Sequence, residues 1–220
     1  MKSKNSFQRG FTLIELMIVI VILGILMGTI LPRLTGAQGR ARDTSRRADL
    51  ANIAQALEVY YNDFNKYPNG TGCLCDPTVD SATVCDTAKV AKNTVANDVD
   101  NGKSAAELIK VYLKGTKIIK PATTNLDTNG CVGSYYYSSL KKGGVDDSAY
   151  VLVSQMETYQ MANYDANGTV AAHTGGPIDT AAVTDAKAYE NFAAVSKTFT
   201  AESQKNNADD AAGSLYFVIP

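Results

Sequence analysis

The alternation of apolar and polar positions divides the chain into a spine and a head. From Phe11 to Leu31 the residues are almost wholly apolar; Thr12, Glu15 and Thr29 are the polar exceptions, and only Glu15 is charged. A spanning helix needs roughly 20 largely apolar residues, so the run is just long enough. Backbone groups in hydrocarbon must be satisfied locally, which makes the run helical. Pro32 lacks an N–H and loosens or kinks the helix there. Beyond it, Leu50, Ile53, Ala54, Leu57, Tyr61 and Phe64 recur at helical spacing on one face. Asn52, Gln55, Asn62, Asp63 and Lys66 take the other side, and Tyr67-Pro68-Asn69-Gly70 is a stop. The pattern predicts one helix from Phe11 to about Phe64, roughly 80 Å long at 1.5 Å per residue. Its first half is apolar all round and needs lipid or copies of itself. Its second half is amphipathic and needs a domain to lie on.

The remainder reads as that domain. Residues 65–101 are polar and rich in Gly, Asn, Asp and Thr, which predicts a long loop pinned by cysteines. Ser104-Ala105-Ala106-Glu107 has the form of a capping box, followed by Leu108, Ile109, Tyr112 and Leu113 and closed by Gly115. Strand-like runs follow at Tyr135–Tyr137, Ala149–Val153 and Leu215–Ile219. The expected class is α+β, a long N-terminal helix packed on an antiparallel sheet. Residues 158–213 read as an insertion between strands, with a helical stretch over 179–205. The expected division is 1–10 as a leader, 11–64 as the helix with a membrane part at about 11–31, and 65–220 as an exported head.

Charge sharpens this division. The formal net charge is -1, but five of the six arginines (Arg33, Arg40, Arg42, Arg46 and Arg47) lie together just past the apolar run. From Ala48 onward the head has 13 basic and 20 acidic residues. An acidic head does not suit phosphate binding, which excludes nucleic acid as an expected partner. The arginines suit a membrane surface or solvated helix face, or equally the acidic surfaces of neighbouring subunits.

Four cysteines, Cys73, Cys75, Cys85 and Cys131, point to an oxidising compartment. A bond between Cys73 and Cys75 would be strained. Two pairings remain: Cys73–Cys85 with Cys75–Cys131, or Cys75–Cys85 with Cys73–Cys131. Cys-x-Cys does not match the usual zinc gap. Asn125–Gly130 and Asn163–Gly168 share Asn-x-Asp-x-Asn-Gly, the first half of a calcium loop, but Tyr136 and Thr174 stand where its final glutamate belongs. Asn-Gly turns explain both, and no metal or cofactor is expected. His173 is the one histidine, and no catalytic set can be assembled around it. The chain is therefore not expected to be an enzyme. Asn69-Gly70-Thr71 and Asn167-Gly168-Thr169 are formal glycosylation sequons that read better as turns.

Ten residues with Lys2, Lys4 and Arg9 precede the apolar run and end in glycine. Gly10-Phe11-Thr12-Leu13-Ile14-Glu15 resembles the class III signal of type IV pilins and pseudopilins. The resemblance covers about a tenth of the chain. It implies that a prepilin peptidase cuts between Gly10 and Phe11 and methylates the Phe11 amine, and that Glu15 is the family's assembly glutamate. It implies a precursor spanning the membrane once, with the leader in the cytoplasm and the head exported. It also implies a homopolymer built by an assembly ATPase and a platform membrane protein, forming an extracellular pilus with roles such as adhesion or motility. A type II secretion pseudopilin is the alternative, and a membrane-anchored exported binding or enzymatic domain a more distant one. The major pseudopilins' Asp-Pro-Trp-Gly run is missing, since the chain has no tryptophan, which favours a pilin.

Overall fold

A computed structural model describes residues 11–78, 80, 85, 87–96, 98–115, 119–121, 127–128, 131–157, 164–165, 176–177 and 214–218. The chain falls into two compact units, 1–39 and 40–220. One helix, α1 (Leu13–Phe64), contributes to both. It is the α+β architecture expected, with the helix boundaries within two residues of the predicted ones. Asn65, at φ 55°, follows its last residue in the left-handed conformation that ends helices.

In the first unit the described side chains of α1 bury nothing. Every large apolar residue from Leu13 to Met27 is at least half exposed or close to it, and Phe11 is 92% exposed. Among the described residues no helix is long and apolar enough to cross a membrane. The described side chains of the apolar run end at Thr29, short of the Leu31 at which the expected span closes.

The second unit is the head. Its sheet has the order β1-β4-β5-β8-β6-β7, with β1 at Thr71–Leu74, β4 at Tyr135–Lys142, β5 at Val145–Gln155, β6 at Tyr164–Asp165, β7 at Gly176–Pro177 and β8 at Ser214–Val218. All neighbours are antiparallel. A separate two-stranded ladder joins β2 (Asp127–Thr128) to β3 (Cys131–Val132). The β4–β5 hairpin turns on Gly143 and Gly144, at φ 60° and 80°. Both central residues with positive φ make the two-residue turn that matches strand twist.

Period two along β4 and β5 decides what meets the helix. Tyr135, Tyr137, Tyr150 and Leu152 pack with Leu50, Ile53 and Leu57 of α1 and with Leu74 of β1 in one buried core. The opposite set, Tyr136, Val151 and Val153, is buried as well. The predicted capping box is realised in half: Ser104 Oγ accepts the Glu107 N–H at 3.0 Å. The helix it caps, α2 (Ala105–Ile109), is short and passes into a 3-10 turn at Lys110–Tyr112.

One expectation is corrected here. Residues 71–74 belong to a strand, not to a loop. Gly72 weakens the strand signal of Thr-Gly-Cys-Leu, and the segment is held extended by pairing with β4 and by its cysteine. The expected helical stretch at 179–205 lies outside the described residues, as does His173.

Candidate functional site

At the start of α1 the side chains close a capping box. Glu15 accepts two hydrogen bonds on Oε2, one from the Thr12 N–H at 2.9 Å and one from the Thr12 hydroxyl at 2.7 Å. In return the Glu15 N–H donates to Thr12 Oγ1 at 3.3 Å. Thr-x-x-Glu ahead of an apolar run is a sequence signal for this arrangement. It explains why a carboxylate can stand in this segment: of the backbone donors that the first turn leaves open, Thr12 N–H is satisfied by the carboxylate and Glu15 N–H by the Thr12 hydroxyl. The sequence reading singled out Glu15 and passed over Thr12. Phe11 lies immediately before this box, and Gly10 lies outside the described residues. Among the described residues, Phe11 and the large apolar side chains after Glu15 stay about half exposed or more. Such a surface is stable only in lipid or against other apolar helices.

In the head a second polar cluster joins α1 to the end of β5. Arg46 and Asp43 are both fully buried. Arg46 pairs with Asp43 and with Glu157. Arg42 donates through Nε to both carboxylate oxygens of Glu157, at 2.8 and 3.0 Å. The Arg42 hydrogen bonds, followed by the pull of Arg46, hold the Glu157 carboxyl below its ordinary range against the opposing effect of burial. Two of the clustered arginines thus pair with a carboxylate of their own chain, Arg46 fully buried and Arg42 partly exposed. Glu157 lies 111 residues from Arg46 in sequence, and no local pattern marks the pair.

Tyrosine hydroxyls tie the sheet to the helix in the same way. Tyr135 donates to Asp49 at 2.8 Å, and Tyr67 and Tyr150 both reach Glu58 at 3.1 and 3.3 Å. Burial, then the bond to Asp49, pushes the Tyr135 hydroxyl far above the usual phenol range, so it stays protonated and donates.

The cysteines form two disulfides, Cys73–Cys131 and Cys75–Cys85. This selects one of the two pairings that the spacing allowed. Among the described residues no group of three or more His, Cys, Asp or Glu is placed to hold a metal. The two Asn-x-Asp-x-Asn-Gly segments fall largely outside the described residues. At the first sequon the Asn69 amide donates to both oxygens of Asp147, at 3.0 and 3.1 Å.

Residues 5–31 match the family model described as the prokaryotic N-terminal methylation motif. In this N-terminal segment the chain is similar to proteins of the type IV pilin-like kind. The curated relatives it resembles include the type II secretion system core protein G of Pectobacterium carotovorum subsp. carotovorum, 44% identical over 62 residues. The same protein of Aeromonas hydrophila is 44% identical over 61 residues, and that of Pseudomonas aeruginosa 44% over 62. Each match takes in 28% of this chain and 40 to 44% of the relative. The chain thus spans less than half the length of these relatives. No solved structure is similar enough to count as a match. The likeness covers 28% of the chain, and the rest has to be read from its own residues.

Proposed function

We propose that this chain is a structural subunit, not an enzyme, that polymerises through its N-terminal helix into a pseudopilus of a type II secretion system. The observation that carries the reading is the apolar stretch of α1, whose large side chains from Leu13 to Met27 stay about half exposed or more, within the matched methylation motif. On this reading a prepilin peptidase cleaves after Gly10 and methylates Phe11. The helix holds the precursor in the membrane and then moves from lipid into a bundle of like helices. That move costs little, because one apolar surrounding replaces another. Glu15 enters the bundle already paired to Thr12, and it is the group that meets the new Phe11 amine of a neighbour. An assembly ATPase and a platform membrane protein are the machinery implied.

A second reading is a surface type IV pilus subunit. The head favours it: it has no tryptophan, and with it none of the Asp-Pro-Trp-Gly run of major pseudopilins. Mass spectrometry of the mature N-terminus tests what both readings share. An end at methylated Phe11 is expected, and an end at Met1 overturns both. Deleting the gene in its own host separates them. Loss of exported proteins from the medium with no loss of surface filaments supports the secretion reading, and the reverse supports the pilus.

A further inference from the structure

The sheet of the head has two outer strands, β1 and β7. An uncovered outer strand presents unpaired N–H and C=O groups that recruit a strand from another molecule. β7 is only two residues long and ends in Pro177, which has no N–H to offer. β1 has no such defence in its own sequence. Its outer side is instead covered by residues 89–92, which run alongside it. The Cys73 N–H donates to Lys89 O at 2.6 Å, and the Ala91 N–H donates to Cys73 O at 3.0 Å. Val90 forms a parallel bridge with Cys73. Behind this strap, the Ala105 N–H donates to Ala91 O at 2.7 Å and fixes it to the start of α2.

Two details show that β1 is shaped for the strap. Gly70 and Gly72 both have φ +142°, which other residues rarely adopt. A Cβ at Gly72 would stand 2.1 Å from Lys89 O, and one at Gly70 would stand 2.8 Å from Lys92 N. The backbones approach so closely that only glycine fits. Cys75, directly after β1, is joined to Cys85, four residues before the strap begins. That staple limits how far the strap can move from the strand it covers.

We propose that residues 89–92, tethered by Cys75–Cys85, are an edge guard that stops β1 from pairing with an extended strand of a second copy of this chain. The occupant excluded is a second copy, because the same β1 edge, with Cys73 offering one donor and one acceptor, recurs on every molecule. This goes beyond the filament reading and does not depend on it: any exported chain that accumulates in many copies faces this pairing. With β7 blocked by Pro177, both outer strands of the described sheet are closed to strand addition.

The test uses the full chain in detergent, in three forms: wild type, Cys75→Ser/Cys85→Ser, and Ala91→Pro, which removes the N–H donated to Cys73 while leaving both disulfides. Readouts are amide hydrogen exchange at Cys73, the dimer fraction against concentration, the mass of the Cys73–Cys131 peptide and near-ultraviolet tyrosine circular dichroism. For variants with Cys73–Cys131 intact and a native tyrosine signal, we expect Cys73 exchange at least about tenfold faster at low concentration. We also expect a concentration-dependent dimer in excess of wild type that restores the protection. Opening without excess dimer overturns the proposal, as does unchanged exchange. Loss of the native signal in both variants overturns it too, because the strap would then belong to the folding core.

Discussion

The main-chain N–H of Glu157 donates to Asp43 Oδ1 at 2.9 Å. Glu157, two residues past β5, is thus bonded through its backbone to α1, while its side chain takes Arg42 and Arg46 from the same helix. Backbone and side chain together make Glu157 the clasp between helix and sheet at this end of the head. Arg46 is the group whose removal leaves most behind: Asp43 stays fully buried without its cation. Breaking one side of such a pair costs about 3–5 kcal/mol. Arg46→Ala is expected to destabilise the head by that amount in urea titration at neutral pH. A loss under about 1 kcal/mol, the value of an exposed pair, would show that water reaches the site.

The same clasp sets a pH dependence. Glu157 has its carboxyl held below the ordinary value of 4.5, first by the Arg42 hydrogen bonds. A depressed acid contributes stability that is present above the unfolded value and is lost as pH falls through the folded value. Wild-type stability should therefore decline below about pH 4.5, and Glu157→Gln should flatten that decline while lowering stability at pH 7. Equal slopes for the two proteins between pH 5 and 3, read from urea midpoints, would remove Glu157 as the cause.

Thr12 and Glu15 make separable predictions. Glu15→Ala leaves the Thr12 donors open and, in a bundle, the Phe11 amine without a partner. An unpaired buried charge costs about 3–5 kcal/mol, so filament yield should fall by well over tenfold. The measurement is sheared filament against membrane-bound subunit, with cleavage at Gly10 checked in the same samples. Thr12→Val removes only the hydroxyl and with it a cap worth about 1 kcal/mol, so it should reduce yield less, and Thr12→Ser should restore it. Wild-type yield from correctly cleaved Glu15→Ala protein would refute the role given to Glu15.

Gly72 and Gly102 separate crowding from backbone strain. Both have positive φ, but a Cβ at Gly72 would collide with Lys89 O, whereas one at Gly102 would meet nothing within 4 Å. Gly102→Ala should cost about 1–3 kcal/mol, the range for an unfavourable backbone conformation alone. Gly72→Ala should cost clearly more, because the strap must also move. Thermal melts of the two variants side by side check the order, and equal losses would mean that the strap yields freely.

Both disulfides should be complete in the isolated protein, as Cys73–Cys131 and Cys75–Cys85. Alkylation without reductant should add no mass, and peptide mapping should recover these two pairs. Two free thiols, or the crossed pairing, would contradict the stapling of β1.

Features governed by neighbours in sequence were readable from the chain alone. The apolar run and the apolar stripe from Leu50 to Phe64 specify a helix because residues three and four apart share a face. Tyr135–Tyr137 and Ala149–Val153 specify strands by composition, and the methylation motif by order of residues. Thr12–Glu15 also lay within that reach, since a capping box is local. What the tertiary structure alone decided depends on residues far apart in sequence. Thr71–Leu74 is extended because β4 and a disulfide hold it there, although Gly72 weakens its strand signal. Arg42 and Arg46 look like surface charges by sequence, yet both pair with Glu157, which the chain just past β5 brings to them, and Arg46 is buried there. The choice between two disulfide pairings followed from which cysteines the sheet placed side by side. Burial and long-range pairing are properties of the folded chain, and no window of neighbouring residues contains them.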